Sequence, residues 1–133
     1  MSASMPEGYV IAFDFGMRHI GVAVGQFVTN SANPLTTISA RDGKPDWDQL
    51  GKLIDTWQPQ SLLVGLPLNM DDTESEMSER ARSFARKLEK RYSLTVHMID
   101  ERLTTFEAKR IDLERAHEIA AKLIAETYLN AGR

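Results

Sequence analysis

The residues best placed to do chemistry in this chain are carboxylates that close apolar runs. Asp14 ends the run Tyr9-Val-Ile-Ala-Phe-Asp14, and Asp100-Glu101 follow Leu94-Thr-Val-His-Met-Ile99. Hard divalent cations prefer oxygen ligands, and Mg²⁺ takes only one or two protein carboxylates beside substrate phosphates. Two such ions ~3.5–4 Å apart can activate a water and stabilise the leaving oxygen of a phosphodiester. Acids after strands are also common turn formers, so the carboxylates by themselves leave both readings open. The glycines near Asp14 say more. Gly16 permits a tight turn directly beyond the acid, while Gly21 and Gly25 permit close backbone approach.

A sheet must bring these carboxylates together. Residues 9–13 are β-prone or apolar without interruption, which in a strand means burial on both faces and a central position. The turn 15–19 and the apolar run 20–25 predict an antiparallel hairpin, and 34–38 a third strand. Trp47, Leu50, Leu53, Ile54 and Trp57 then recur at helical spacing, with Asp46 at the cap and Pro59 as the stop. Residues 61–66 predict a buried fourth strand. Thr73 with Glu76 has the spacing of a capping box before the helical stripe Met77, Ala81, Phe84, Ala85, Leu88 and Tyr92. Residues 94–99 predict a fifth strand, and Thr104 with Glu107 a second box before a closing helix that ends about Leu129.

A hairpin run followed by strand–helix alternation predicts an α/β fold, a mixed five-stranded sheet with helices on both faces. Right-handed crossovers set strands 61–66 and 94–99 parallel to the first, so their carboxyl ends share the edge where open α/β sheets bind ligands. Two interstrand steps would separate the first and fifth backbones by roughly 10 Å, within reach of a shared cation if the side chains converge.

With 133 residues, 42% hydrophobic and 26% charged, the chain reads as one ordinary globular domain spanning 1–133, with residues 1–8 expected to be flexible. It has no cysteine, which excludes disulfides and thiolate zinc sites and suits a reducing cytoplasm. No apolar run approaches the ~20 residues of a membrane span, and the opening residues do not resemble a secretory leader. The expectation is a cytoplasmic protein without membrane partners. A net charge of −3 excludes a globally basic coat, so any nucleic acid must be held by a local patch or through metal ions. Arg82, Arg86 and Lys90 share one ridge of the helix after residue 75, with Glu79 and Glu89 interspersed; the ridge suits a phosphate backbone or a solvated face. Trp47 and Trp57 read as core, and His97 as a core or surface residue. His19, in the turn beside Asp14, reads as solvated or as a phosphate contact.

Three motifs in order carry a family resemblance: Asp14-Phe-Gly with Ile20-Gly-Val-Ala-Val-Gly25, then Val64-Gly-Leu-Pro-Leu-Asn-Met-Asp71, then Asp100-Glu-Arg-Leu-Thr-Thr105 with Glu107-Ala108. The first also resembles the phosphate loop of actin-like ATPases and sugar kinases, but those carry two such lobes in much longer chains. Together the three closely resemble the YqgF (RuvX) family over roughly residues 8–110. The resemblance implies an RNase H-like fold and a metal-dependent phosphodiester endonuclease using Mg²⁺ or Mn²⁺. It favours 5′-end maturation of pre-16S ribosomal RNA. A Holliday-junction resolvase-like activity on branched DNA, or a non-catalytic RNA- or ribosome-binding module, are the alternatives; a monomer or a homodimer suits either. It implies catalytic roles for Asp14, Asp100 and Glu101, with Asp14 and Glu101 on the metal. Gly16, Arg18, Asn69, Asp71 and Arg102 would lie against substrate, with Gly65 and Pro67 in the same signature loop. Family members usually carry a longer segment after the Glu-Ala helix start, then an Asp opening the last helix as third acid. Here that segment is short, and aligning Glu126-Thr-Tyr128 with the end of the family helix puts His117 at the acid's position, with Asp112, Glu114 and Glu118 nearby.

Overall fold

The computed structural model describes residues 8–67, 71, 73–100 and 116–131. The strands are β1 (Tyr9–Asp14), β2 (His19–Gln26), β3 (Ser31–Arg41), β4 (Lys44–Pro45), β5 (Ser61–Leu66) and β6 (Val96–Asp100). The helices are α1 (Trp47–Trp57), α2 (Glu76–Tyr92) and α3 (Ala116–Ala131). The strands form one six-stranded sheet in the order β4-β3-β2-β1-β5-β6. β1 pairs antiparallel with β2 and parallel with β5, and β6 continues the parallel half. The carboxyl ends of β1, β5 and β6 therefore share an edge, as the crossover rule requires.

The count of five strands is corrected to six. β3 runs on to Arg41 and folds back through Asp42-Gly43, both at positive φ, so that Lys44–Pro45 pair with Ala40 and Arg41. An Asp-Gly pair favours such a turn because both central residues must adopt the left-handed region. Asp46 caps α1 as expected, accepting from the Asp48 and Gln49 amides at 3.1 and 3.3 Å. The cap of α2 is not Thr73. Ser75 takes that place and forms a reciprocal box with Ser78, while Thr73 turns back to Asp71. Ser78 is fully buried and its hydroxyl donates to the Pro67 carbonyl, which ties the loop after β5 to the first turn of α2. The expected box at Thr104 and Glu107 lies outside the described residues, as do residues 1–7.

Alternation along the strands sorts the core into two layers. Ile11, Phe13, Ile20, Val22, Leu62 and Val64 meet Leu50 and Ile54 of α1 and Phe84, Ala85 and Leu88 of α2. Phe84 lies edge-on to Phe13, with ring centroids 5.7 Å apart. Val10, Ala12 and Leu63 face the other way, onto Ile124 and Ala125 of α3. Trp47 and Trp57 are partly buried against the first layer, in keeping with a core role. No helix among the described residues is long and apolar enough to cross a membrane.

Candidate active site

Asp14 closes β1 at the sheet edge, 5% exposed, on the face that carries α3. Its register partner on β2 is Gly21. A Cβ at Gly21 would lie 1.9 Å from the His117 carbonyl oxygen, so the missing side chain is what admits the first turn of α3 against the sheet. A Cβ at Gly25 would meet Val10 and Leu129 at 3.0 and 3.2 Å. The close approach that the glycines permit is thus made by a helix. Ala125 of α3 lies 3.5 Å from the Cβ position at Gly25, and Ala120 and Ala121 of the helix are buried with it.

This packing brings His117 to Asp14, with Nδ1 3.7 Å from a carboxylate oxygen. His19, exposed at the start of β2, stacks on His117 with ring centroids 5.5 Å apart. Gly16 lets the intervening turn close, since a Cβ there would lie 2.4 Å from the His19 carbonyl. Arg18 is exposed in the same turn, and its carbonyl accepts from the Ala40 amide at 2.8 Å. On α3, Glu118 reaches Thr37 Oγ1 of β3 at 3.2 Å and not Asp14.

Strand parity fixes the face of Asp100, the last residue of β6. Val96 and Met98 pack into the α1–α2 layer and Ile99 into the α3 layer, so Asp100 falls on the face opposite Asp14. One further residue of strand would return position 101 to the face of Asp14. Glu101 itself lies outside the described residues, as do Asn69 and Arg102. Asp71 is exposed, and its carboxyl is held below the usual carboxylate range by the Thr73 hydroxyl and then the Thr73 amide. Those bonds shape the loop beside the site. His97 stacks on Tyr128 of α3 with centroids 5.1 Å apart, a packing role.

A cation is compatible with what is present. Asp14 is nearly buried, with His117 Nδ1 3.7 Å from one of its oxygens, and a carboxylate so placed is costly without a donor or a cation. The described donors Asp14 and His117 make an oxygen–nitrogen pair; no group of three potential ligands occurs among the described residues.

Of the ridge expected from the sequence, Lys90 alone is among the cations that the fold gathers in one groove. Arg82, on the expected ridge, is held by Glu74 through contacts of 2.9 and 2.6 Å. Lys44, Lys87, Lys90 and Arg91 instead line an open groove with Trp47. The i, i+3, i+4 spacing of Lys87, Lys90 and Arg91 was a readable signal; the return of Lys44 by the β3–β4 hairpin was not.

The sheet order and the acid at the end of its central strand define the class. Over 94% of this chain and 96% of the other, the fold superposes on Thermus thermophilus RuvC in complex with Holliday junction substrate, with TM-score 0.58 and 15% identity. Fowlpox virus resolvase, in complex with Holliday junction DNA, matches over 92% and 97% with TM-score 0.55 and 8% identity. These likenesses are of fold: the chain has the RNase H-like architecture of the RuvC-type resolvases. The chain belongs to the RuvX family, described as Holliday junction resolvase, whose model matches residues 8–131. Its curated relatives include proteins named "Putative pre-16S rRNA nuclease". The one from Nitrosococcus oceani is 49% identical over 137 aligned positions, covering 96% of this chain and 90% of the relative. That from Acinetobacter baylyi is 50% identical, covering 97% and 91%.

Proposed function

We propose that this chain is a divalent-metal-dependent endonuclease that hydrolyses a phosphodiester bond at the Asp14 edge, with the 5′ flank of pre-16S ribosomal RNA as substrate, in the cytoplasm. The observation that carries the reading is Asp14 itself: 5% exposed, at the end of the central strand, with the His117 imidazole 3.7 Å away. Membership of a nuclease family and the names of its relatives supply the reaction class and the RNA.

Asp14 would hold Mg²⁺ or Mn²⁺ together with Glu101, the acid that strand parity favours over Asp100. When bound, such an ion polarises a phosphoryl oxygen and lowers the pKa of a coordinated water. The remaining work falls to the chain. Asp14 fixes the electrostatic sign of the edge, and the turn at Gly16 sets its direction. His117 stands within reach to orient the attacking water and accept its proton. Arg18, exposed beside it, is placed to meet substrate phosphate, with Arg102 in support. Imidazole suits Mn²⁺ better than Mg²⁺, so a His at the position of the family's third acid shifts the preferred ion.

The test is cleavage of a 5′-extended 16S precursor and of a four-way DNA junction, with ion binding followed by calorimetry. The unaltered chain should bind the ion and cut the RNA, faster with Mn²⁺ than with Mg²⁺. Asp14→Asn should lose the ion heat and more than ~100-fold in rate, exceeding what loss of an outer-shell partner costs, at near-normal melting temperature. His117→Asp should move the preference toward Mg²⁺. Normal cleavage by Asp14→Asn overturns the site. Cleavage of the junction alone moves the substrate to branched DNA. RNA binding without ion heat or cleavage makes the chain a binding module.

A further inference from the structure

The groove at Lys44, Trp47, Lys87, Lys90 and Arg91 lies on the opposite face of the sheet from α3, and the Asp14 site does not use it. It is open, about 440 Å³ in volume, and assembled from three elements: the β3–β4 hairpin, the first residue of α1 and the second half of α2. The four cations are exposed, and none forms an ion pair among the described residues. The nearby acids are turned to other tasks. Asp46 caps α1, and Glu89 accepts from the Val96 amide at 3.4 Å. Arg91 lies over the Trp47 ring, 4.1 Å from its centroid, which fixes one guanidinium in the groove wall. Four charges in one concavity, without an ion-pair partner among the described residues, on a chain of net charge −3, call for a polyanion.

The groove is also tied to the active edge. The Gly43 amide donates to the Met17 carbonyl at 2.9 Å, and Met17 is three residues beyond Asp14. A Cβ at Gly43 would lie 3.1 Å from Phe15 and 3.9 Å from Arg80, which begins a line along α2 to Lys87 and Arg91 at i+7 and i+11. Lys44 therefore lies within about 20 Å of the carboxylate. At ~3.4 Å of axial rise per nucleotide, that is roughly six nucleotides or fewer along one strand.

We propose that this groove binds the phosphate backbone of the nucleic-acid strand whose scissile bond lies at Asp14, a few nucleotides from the cut. The proposal rests on the nuclease reading and names how that site holds its substrate. Phosphate contacts of this kind fix register on the protein without reading sequence.

The experiment measures binding of a fluorescein-labelled RNA spanning the 5′ end of the 16S precursor, in an Asp14→Asn background so that nothing is cut. Lys87→Gln, Lys90→Gln and Arg91→Gln together should weaken binding about ten-fold or more near 0.1 M salt. They should also flatten the plot of log affinity against log salt by about two, at ~0.7–0.9 for each phosphate no longer neutralised. Lys52→Gln with Lys122→Gln removes charge elsewhere and should leave the slope within error. An unchanged slope in the triple variant, or an equal drop in the Lys52 and Lys122 variant, overturns the groove alone. If the Asp14→Asn chain binds neither this RNA nor a four-way DNA junction, the groove and the nuclease reading fall together.

Discussion

The two faces of the sheet differ most in residue size along β2, beside the site. Along β2, Ile20 and Val22 fill the layer under α1 and α2, while Gly21 and Gly25 alternate with them toward α3. One face is held by volume: Phe13, Phe84, Leu50, Leu62 and Leu88 interlock there. Near the site the other is held by clearance, with Gly21 against the His117 backbone and Gly25 against Ala125 and Leu129. Asp14 sits on the clearance face, where position is set by backbone contact. The large-residue face supplies stability at a distance from the chemistry. A side chain added on one face and a side chain removed on the other should therefore fail in different ways.

Gly21→Ala should have the largest effect. The new Cβ would lie 1.9 Å from a backbone oxygen that no rotamer change can move, so the first turn of α3 must shift. A displacement near 1 Å at a catalytic group costs on the order of 100-fold in rate. Overpacking should cost about 1–3 kcal/mol of stability as well. Gly25→Ala is the comparison: its neighbours at 3.0 and 3.2 Å are side-chain ends that can give, so both losses should be smaller. Rates normalised to folded fraction, with melting curves for both variants, check the pair. Equal behaviour would end the distinction between backbone and side-chain clearance.

Leu62→Ala tests the opposite face. Leu62 is fully buried in β5, within the α1–α2 layer. Truncation should cost about 2–5 kcal/mol, the range for a buried leucine, and cleavage per folded molecule should stay within about two-fold. Denaturant unfolding beside the cleavage assay gives both quantities. A rate loss as large as that of Gly21→Ala would show that the two faces are mechanically coupled.

Much of this asymmetry was legible in the sequence, for definable reasons. The uninterrupted β-prone or apolar run 9–13 marked the central strand, and Asp46 and Pro59 bounded α1, because those signals are local. The small residues of β2 could be seen to permit close approach. What approached them could not, since α3 arrives from about a hundred residues away. The cap of α2 was misplaced by two residues: Thr73 and Glu76 have the right spacing, but Asp71 takes the Thr73 hydroxyl and Ser78 finds a buried acceptor at Pro67. β4 is two residues long and leaves no periodic trace. At the site, the apolar run showed that Asp14 closes a buried strand, while its role, like the position of His117, came from the family resemblance. The face of Asp100 needed the observed packing of Met98 and Ile99. The basic ridge was read from one helix, and the ion pair that removes Arg82 from it crosses from residue 74.

That ion pair gives the smallest expected effect and locates a third kind of position, at the rim, where neither volume nor clearance decides. Glu74 and Arg82 are 39% and 42% exposed at their side chains, and their closest contact is 2.6 Å. The Arg82 hydrogen bond holds the Glu74 carboxyl below its ordinary value of 4.5, with burial opposing weakly and the charge of Arg82 adding to it. A carboxyl depressed in the folded state stabilises the fold above its unfolded pKa, and that stabilisation is lost as pH falls through the folded value. Glu74→Gln should therefore lower the melting temperature only slightly at pH 7. The difference from the unaltered chain should shrink once the pH drops below 4.5 and vanish below the folded pKa. High salt should erase much of it at any pH, because an exposed pair is screened within about 3 Å at 1 M. Melting curves of the two chains across that pH range, at low and high salt, check the sign. A difference that persists in acid and in salt would mean that Glu74 acts through packing, and the rim would then belong to the volume-held face.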